Sequence, residues 1–394
     1  MIPHSNVIIG LDQIESVHLP HKRIGYLGNQ ASISSHFKLG ADLLYLYFGN
    51  RLTALFGPQH GFGGEAQDNM IETHHFVHPK YQIPVFSLYG ETRVPTKEML
   101  SHIDVMIIDL PDNGTRVYTF LWSMVLTMEA CGNEDIPIII LDRPNPLGGI
   151  SVAGNIGNID FKSFIGLFPL PMQHGMTLGE LALYAKDVWM IKCDLKVIKL
   201  INWQRAHTFK DTQLPWVHPS PNFPTLETAI VYPGTVLIEG TCLSEGRGTV
   251  KPFEIMGHPS LNTDIFCDRI YQKCKANQLS GFVLRPLTFI PTFDKFQDQL
   301  CFGFQLHVTH PPIFRPWHTG QLILQQLYHT MNNLFSWREP PFEYVEDILP
   351  IDLLNGNDLC RKWVEKNGDF DELISIEQDG MQEFMHKRKN FLLY

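Results

Sequence analysis

The chain has 394 residues, too many for one ordinary hydrophobic core, so two domains or one large α/β unit are expected. Its 31 basic and 41 acidic residues give a formal charge of -10, which excludes the electrostatic footprint of a nucleic-acid or anionic-lipid binder and points to a neutral or small-molecule partner. Seven scattered cysteines without a C-x-x-C pair argue against a disulfide framework, and no apolar run approaches the roughly 18 residues of a membrane-spanning helix.

Strand and helix signals alternate over the first half. A strand over 22–27 ends at Gly28, Asn29 and Gln30, and a helix over 37–48 follows, with Leu39, Leu43, Leu44, Tyr47 and Phe48 at three- and four-residue spacing. The strand over 52–56 stops at Gly57-Pro58, where proline has no ladder donor, and Gln59 and His60 follow in a glycine-rich loop. A short strand over 84–88 leads to Glu91, and Thr96 caps a helix with Glu98 in its first turn. The run over 104–110 is nearly all apolar, as in a sheet buried on both faces, with Asp109, Asp112, Arg116 and Tyr118 at its carboxyl end. A helix over 118–130 returns the chain to a strand over 136–141, which ends at Asp142, Arg143, Pro144 and Asn145.

This alternation predicts an α/β fold with a doubly wound, mostly parallel sheet, whose ligands bind beyond the carboxyl ends of the strands. A helix over 177–189, with Thr177 and Glu180 spaced as a capping box, and a strand over 195–201 complete the first domain. Four prolines and Trp216 exclude regular structure over 214–224, which reads as a rigid connector. The boundary is set there, giving domains 1–224 and 225–394, the second a smaller α+β unit. Its expected elements are a helical start after 225, helices over 263–276, 319–334, 357–366 and 370–391, and strands over 283–289 and 302–308.

Asn29, Gln59, His60, Glu91, Asp112 and Asn145 come from separate loops on one predicted sheet edge, which is the main pointer to a site. Asp109, Asp112, Glu91, Glu239 and Glu245 lie beside glycine, proline or aromatic residues, where desolvation raises a carboxyl pKa and suits it to proton donation; two carboxyls flanking one bond is glycosidase chemistry. Taken singly, each is more often solvated or salt-bridged. The glycines around Arg247 leave its guanidinium room to fork onto a carboxylate, from Glu245 or from a ligand, and Arg116 follows Gly114 in the same way. The histidines at 74, 75 and 78 do not form H-E-x-x-H, so no metal site is expected. The glycines at 61, 63 and 64 do not meet G-x-G-x-x-G and no phosphate-binding loop motif occurs, so no nucleotide cofactor is expected. The absence of G-x-S-x-G demotes serine hydrolysis.

The segments L-F-G-P-Q-H-G, P-V-F-S-L-Y-G-E-T, I-I-D-L-P-D-N-G-T-R-V-Y-T, L-D-R-P-N-P, Q-H-G-M-T-L-G-E-L, P-S-P-N-F-P-T, V-Y-P-G-T and E-G-T-C-L-S-E-G-R-G-T-V-K-P-F-E occur in one order. Through them the chain resembles, nearly end to end, the NamZ family of exo-β-N-acetylmuramidases, formerly a domain of unknown function (DUF1343). The resemblance implies a Rossmann-like N-terminal domain joined to a smaller C-terminal domain with a cleft between them. It also implies release of N-acetylmuramic acid, or a related 2-acetamido sugar, from the non-reducing end of peptidoglycan fragments, with no cofactor.

The matching motifs mark Glu245, Asp112 and His60 as catalytic candidates. Gln59, Asn29, Asp109, Arg116, Tyr118, Asn145, His174, Asn222, Tyr232, Glu239 and Arg247 are the sugar-binding candidates, with Arg116 or Arg247 for the lactyl carboxylate. Gln59 stands where members commonly carry the glutamate favoured as catalytic acid, and an amide has no suitably acidic proton. Either another group supplies it, or the protein binds sugar without cleaving it. The first ten residues lack an export signal pattern, which reads as cytoplasmic, whereas family members are often exported. Oligomeric state is not legible in the sequence.

Overall fold

In the computed structural model, which describes residues 6–68 and 70–394, six parallel strands and one antiparallel edge strand form the central sheet. The strands are β1 Ile24–Leu27, β2 Leu52–Gly57, β3 Phe76–Val77, β4 Pro84–Ser87, β5 Val105–Ile108, β6 Ile138–Leu141, β7 Ala153–Ile156, β8 Pro171–Gln173, β9 Leu195–Ile198, β10 Ile255–His258, β11 Phe282–Phe289 and β12 Cys301–Val308. The sheet runs β3-β4-β2-β1-β5-β6-β9, with only β3 antiparallel to its neighbour. Counting the parallel strands alone in chain order gives 3-2-1-4-5-6, the doubly wound arrangement. Every residue of β1, β5 and β6 is buried, because helices cover both faces of the sheet and no face is left for polar residues.

The C-terminal part carries an antiparallel sheet, β10-β12-β11, with Phe282 opposite Val308 and Phe289 opposite Cys301. The helices Leu226–Thr235 and Pro316–Met331 cross where Gly234 meets Gly320, and a Cβ on either would collide with the other helix's backbone. One hydrophobic cluster runs through both parts of the chain and contains Trp122, Phe223, Tyr232, Phe253, Trp317 and Trp363. The expected helix over 370–391 is two helices, Phe370–Gln378 and Met381–Arg388, because Gly380 takes a left-handed conformation (φ 71°) between them. β7, β8, β10 and the short helix Pro350–Asn355 were not foreseen, being too short to show a period.

Arg116 ties these layers together. Its fully buried guanidinium donates from Nη1 to the carbonyls of Asn155 (3.1 Å) and Leu170 (2.9 Å) and from Nη2 to that of Leu354 (2.8 Å). Burial pushes its pKa down to about 10. The expectation that it receives a ligand carboxylate is corrected by this geometry, since its donors already serve the backbone of three separate segments. Arg116→Met, which leaves those carbonyls buried and unpaired, is expected to lower stability by about 3 kcal/mol or more in urea unfolding; a loss under about 1 kcal/mol would contradict the staple. Gly320→Ala is expected to cost about 1–3 kcal/mol by overpacking the helix crossing, and an unchanged unfolding midpoint would contradict that close approach.

Candidate active site

A cleft opens where the ends of the sheet strands meet loops of the C-terminal part. β2 ends at Gly57, where a Cβ would lie 2.6 Å from the Phe62 nitrogen, so the chain folds back on itself. His60 (φ 72°) and Gly61 (φ 88°) make the turn that places Gln59 and His60 in the cleft wall. Tyr118 and Thr119, at the start of the helix Phe120–Asn133, form the adjoining wall, and Ser220, Asn222 and Phe223 of the connector close one side. Tyr232, Glu239, Arg247, Phe253 and Glu343 come from beyond residue 224. The loops around Gln59 and Arg247 therefore face one space. Tyr118, Phe223, Tyr232 and Phe253 pack edge to face or tilted at 4.6–6.4 Å and form its aromatic wall.

Thr119 donates its hydroxyl to Gln59 Oε1 (2.6 Å), which turns the amide NH2 toward Glu343, to which it hydrogen-bonds. The Tyr89 hydroxyl donates to Glu343 Oε2 at 3.0 Å, and the Glu343 backbone N–H reaches Met70 Sδ at 3.3 Å. Glu343 and Tyr344 both hold positive φ (45° and 66°), a costly conformation for side chains of this size, beside the buried Phe342. Arg93 stacks 3.4 Å from the Tyr344 ring centroid and clamps the loop from the other part of the chain. Burial raises the Glu343 carboxyl; Tyr89, Gln59 and Arg93 oppose the shift, Glu239 adds to it, and the result is about 7. Glu343 was missed at the sequence level. Its signal in the sequence is its setting, a carboxylate between Phe342 and Tyr344 just after Pro340-Pro341, like those of Glu239 and Glu245 beside glycine.

Glu245, expected as a catalytic group, stands behind the cleft wall. Lys295 Nζ reaches its Oε2 at 2.9 Å and Arg247 Nε its Oε1 at 3.1 Å. Burial alone would raise the Glu245 carboxyl, but Lys295 and Arg247 together outweigh it, and the pKa is lowered. A carboxylate held in this way has no proton to give near neutrality. Lys295 also donates to the carbonyls of Leu243 (2.9 Å), Ile238 (3.2 Å) and Glu239 (3.3 Å), which locks this corner. Arg247 Nη2 pairs with Glu239, while its Nη1 has no hydrogen-bond partner among the described residues.

His60 Nδ1 lies 2.8 Å from the Ala66 carbonyl. A carbonyl only accepts, so Nδ1 carries the proton and Nε2 is left as an acceptor. Burial lowers the His60 pKa to about 4, so the ring is neutral. Asn222 donates to the Gln67 carbonyl at 2.9 Å and lines the cleft.

Other expected site residues serve the scaffold. Asp109 accepts from Arg143 Nε (2.6 Å) and from the Tyr26 hydroxyl (2.8 Å); Asn29 donates to the Pro219 carbonyl (2.8 Å), and Asn145 to that of Met176 (2.9 Å). Asp112 accepts from the Gly114 N–H (2.8 Å) and lies 3.4 Å from Nε2 of the fully buried His174. It faces a separate narrow cavity lined by Trp216, Arg143 and Pro219.

The family model for exo-beta-N-acetylmuramidase NamZ, N-terminal, matches residues 24–227, and that for its C-terminal part matches residues 230–394. The chain is 40% identical over 376 residues to peptidoglycan beta-N-acetylmuramidase NamZ of Bacillus subtilis (strain 168), covering 95% of this chain and 88% of that protein. Two crystal structures of DUF1343 family proteins from Bacteroides fragilis NCTC 9343 superpose on it. One has a TM-score of 0.87 at 26% identity over 100% of both chains. The other has a TM-score of 0.75 at 30% identity over 99% of both. The doubly wound sheet, the cleft at its strand ends and these end-to-end matches make the chain a member of the NamZ family.

Proposed function

We propose that this protein is an exo-β-N-acetylmuramidase that releases N-acetylmuramic acid from the non-reducing end of peptidoglycan fragments. The observation that carries the reading is the 40% identity across 95% of the chain to a relative named for that chemistry. The cleft supports it. The rings of Tyr118, Phe223, Tyr232 and Phe253 suit the apolar face of a pyranose, and His60 Nε2 and the Asn222 amide suit its hydroxyls. Arg247 Nη1, which has no hydrogen-bond partner among the described residues, takes the lactyl carboxylate, the group that distinguishes muramic acid from glucosamine. Glu239 accepts the acetamido N–H, so that the acetamido oxygen attacks the anomeric carbon in a substrate-assisted displacement. Glu245 holds the Arg247 fork from behind, and Asp112 holds the turn at Gly114.

Purified protein given the disaccharide with N-acetylmuramic acid at the non-reducing end is expected to release that sugar, and the disaccharide of reversed order is expected to stay intact. Bound sugar without turnover would instead make the protein a saccharide binder. Arg247→Lys keeps the charge but loses the fork. It is expected to reduce the preference for N-acetylmuramides over N-acetylglucosaminides about tenfold, roughly 1.4 kcal/mol; equal losses on both substrates would contradict the carboxylate role.

A further inference from the structure

Cleaving an unactivated glycosidic bond requires a proton on the departing oxygen, and the Gln59 amide has none to deliver. We propose that Glu343 is the proton donor of this cleft, with Gln59 and Tyr89 as positioning residues that hold its carboxyl toward the substrate. The assignment rests on the muramidase reading of the same cleft.

Three observations carry it. First, Glu343 lines the cleft and is buried, and among the described residues no cation forms an ion pair with it. Second, its two hydrogen-bonding neighbours approach it as donors: the Tyr89 hydroxyl at 3.0 Å, and the Gln59 NH2, whose carbonyl end is already taken by Thr119. These contacts fix the carboxyl without offering it a base. Third, the other titratable groups facing the cleft are unsuited. His60 is lowered to about 4, Tyr118 and Tyr232 are raised by burial far above the working range, as is Tyr89 behind Glu343, and Glu239 is committed to Arg247. Tyr344 is also raised by burial, and Arg93 acts on Glu343 from beyond the Tyr89 and Tyr344 rings. Glu343, at about 7, holds a proton near neutral pH and gives it up readily, which is the match that general acid catalysis needs.

In the first step the Glu343 proton moves to the glycosidic oxygen as its bond to C1 breaks. The bonding pair leaves with the aglycone, and the acetamido oxygen forms a new bond to C1, giving an oxazolinium and the Glu343 carboxylate. In the second, water attacks C1, the acetamido oxygen departs with its electron pair, and a water proton returns to Glu343. No further reactant is consumed.

The test compares Glu343→Gln with wild type on two substrates, the muramyl disaccharide and a dinitrophenyl N-acetylmuramide whose leaving group departs without protonation. The expected result is a roughly 100- to 10,000-fold loss of kcat/KM, which reports the first step alone, on the disaccharide and a loss of kcat/KM within about tenfold on the aryl glycoside. Undiminished disaccharide cleavage, or equal losses on both substrates, would overturn the assignment. A wild type inactive on both would overturn the muramidase reading and this assignment with it, so the two failures are distinct.

A second arm does not depend on the fold tolerating loss of Glu343. Activity requires the protonated carboxyl, so wild-type kcat/KM is expected to fall as pH rises through about 7. Gln59→Glu puts a second carboxyl beside the first, and their mutual repulsion is expected to move that limb upward by about one unit or more. Tyr89→Phe removes a donor that favours the charged form and is expected to move it the same way. Unmoved limbs in both variants would overturn the assignment.

Discussion

A charge taken out of water must be paired, hydrogen-bonded or neutralised, and the seam between the two parts of this chain is organised by that requirement. Arg116 is met by three carbonyls, Asp109 by Arg143 and Tyr26, Glu245 by Lys295 and Arg247, and Glu239 by Arg247. Glu343, which lines the cleft, is met by no such cation among the described residues. Its neighbours are an amide and a phenol, neither of which supplies a full charge, so burial wins and the carboxyl retains its proton to about pH 7. The same desolvation removes the proton from His60 and leaves a neutral acceptor facing the cleft. Burial moves the pKa of an acid up and that of a base down, and here it leaves both groups uncharged.

The sheet alone does not make this cleft. Its strand ends deliver Gln59, His60 and Tyr118, but the guanidinium and the carboxyls come from segments beyond residue 224. Those segments reach the strand ends because the hydrophobic core is continuous, with Phe223, Tyr232 and Phe253 packed on Tyr118. The rings that build the cleft wall are thus also those that join the two parts. Arg93, Tyr89 and Tyr344 perform the same service on the opposite side, fixing a loop whose backbone is costly to hold.

Much of the scaffold was legible in the chain. Parallel strands buried on both faces appear as apolar runs, so β1, β2, β5 and β6 were found within a few residues of their ends. The closing helix was drawn too long, because the periodicity of its apolar side continues through Gly380 while the backbone does not. The site was legible only in part. Gln59, His60, Tyr118, Asn222, Tyr232, Glu239 and Arg247 do line one cleft, and their motifs marked them. Side chains that recognise sugars also satisfy backbone groups at strand ends, and Asn29 and Asn145 are engaged in that way here. Glu343 lay outside every motif considered, 254 residues beyond the tyrosine that holds it, and only the folded chain brings the two together.

The most direct test of the account is a crystal structure of the protein with N-acetylmuramic acid bound. The sugar is expected among the Tyr118, Tyr232 and Phe253 rings, with its lactyl carboxylate on Arg247 and its anomeric oxygen within about 3 Å of the Glu343 carboxyl. A sugar seated in the cavity beside Trp216, or one whose anomeric carbon points away from Glu343, would contradict it.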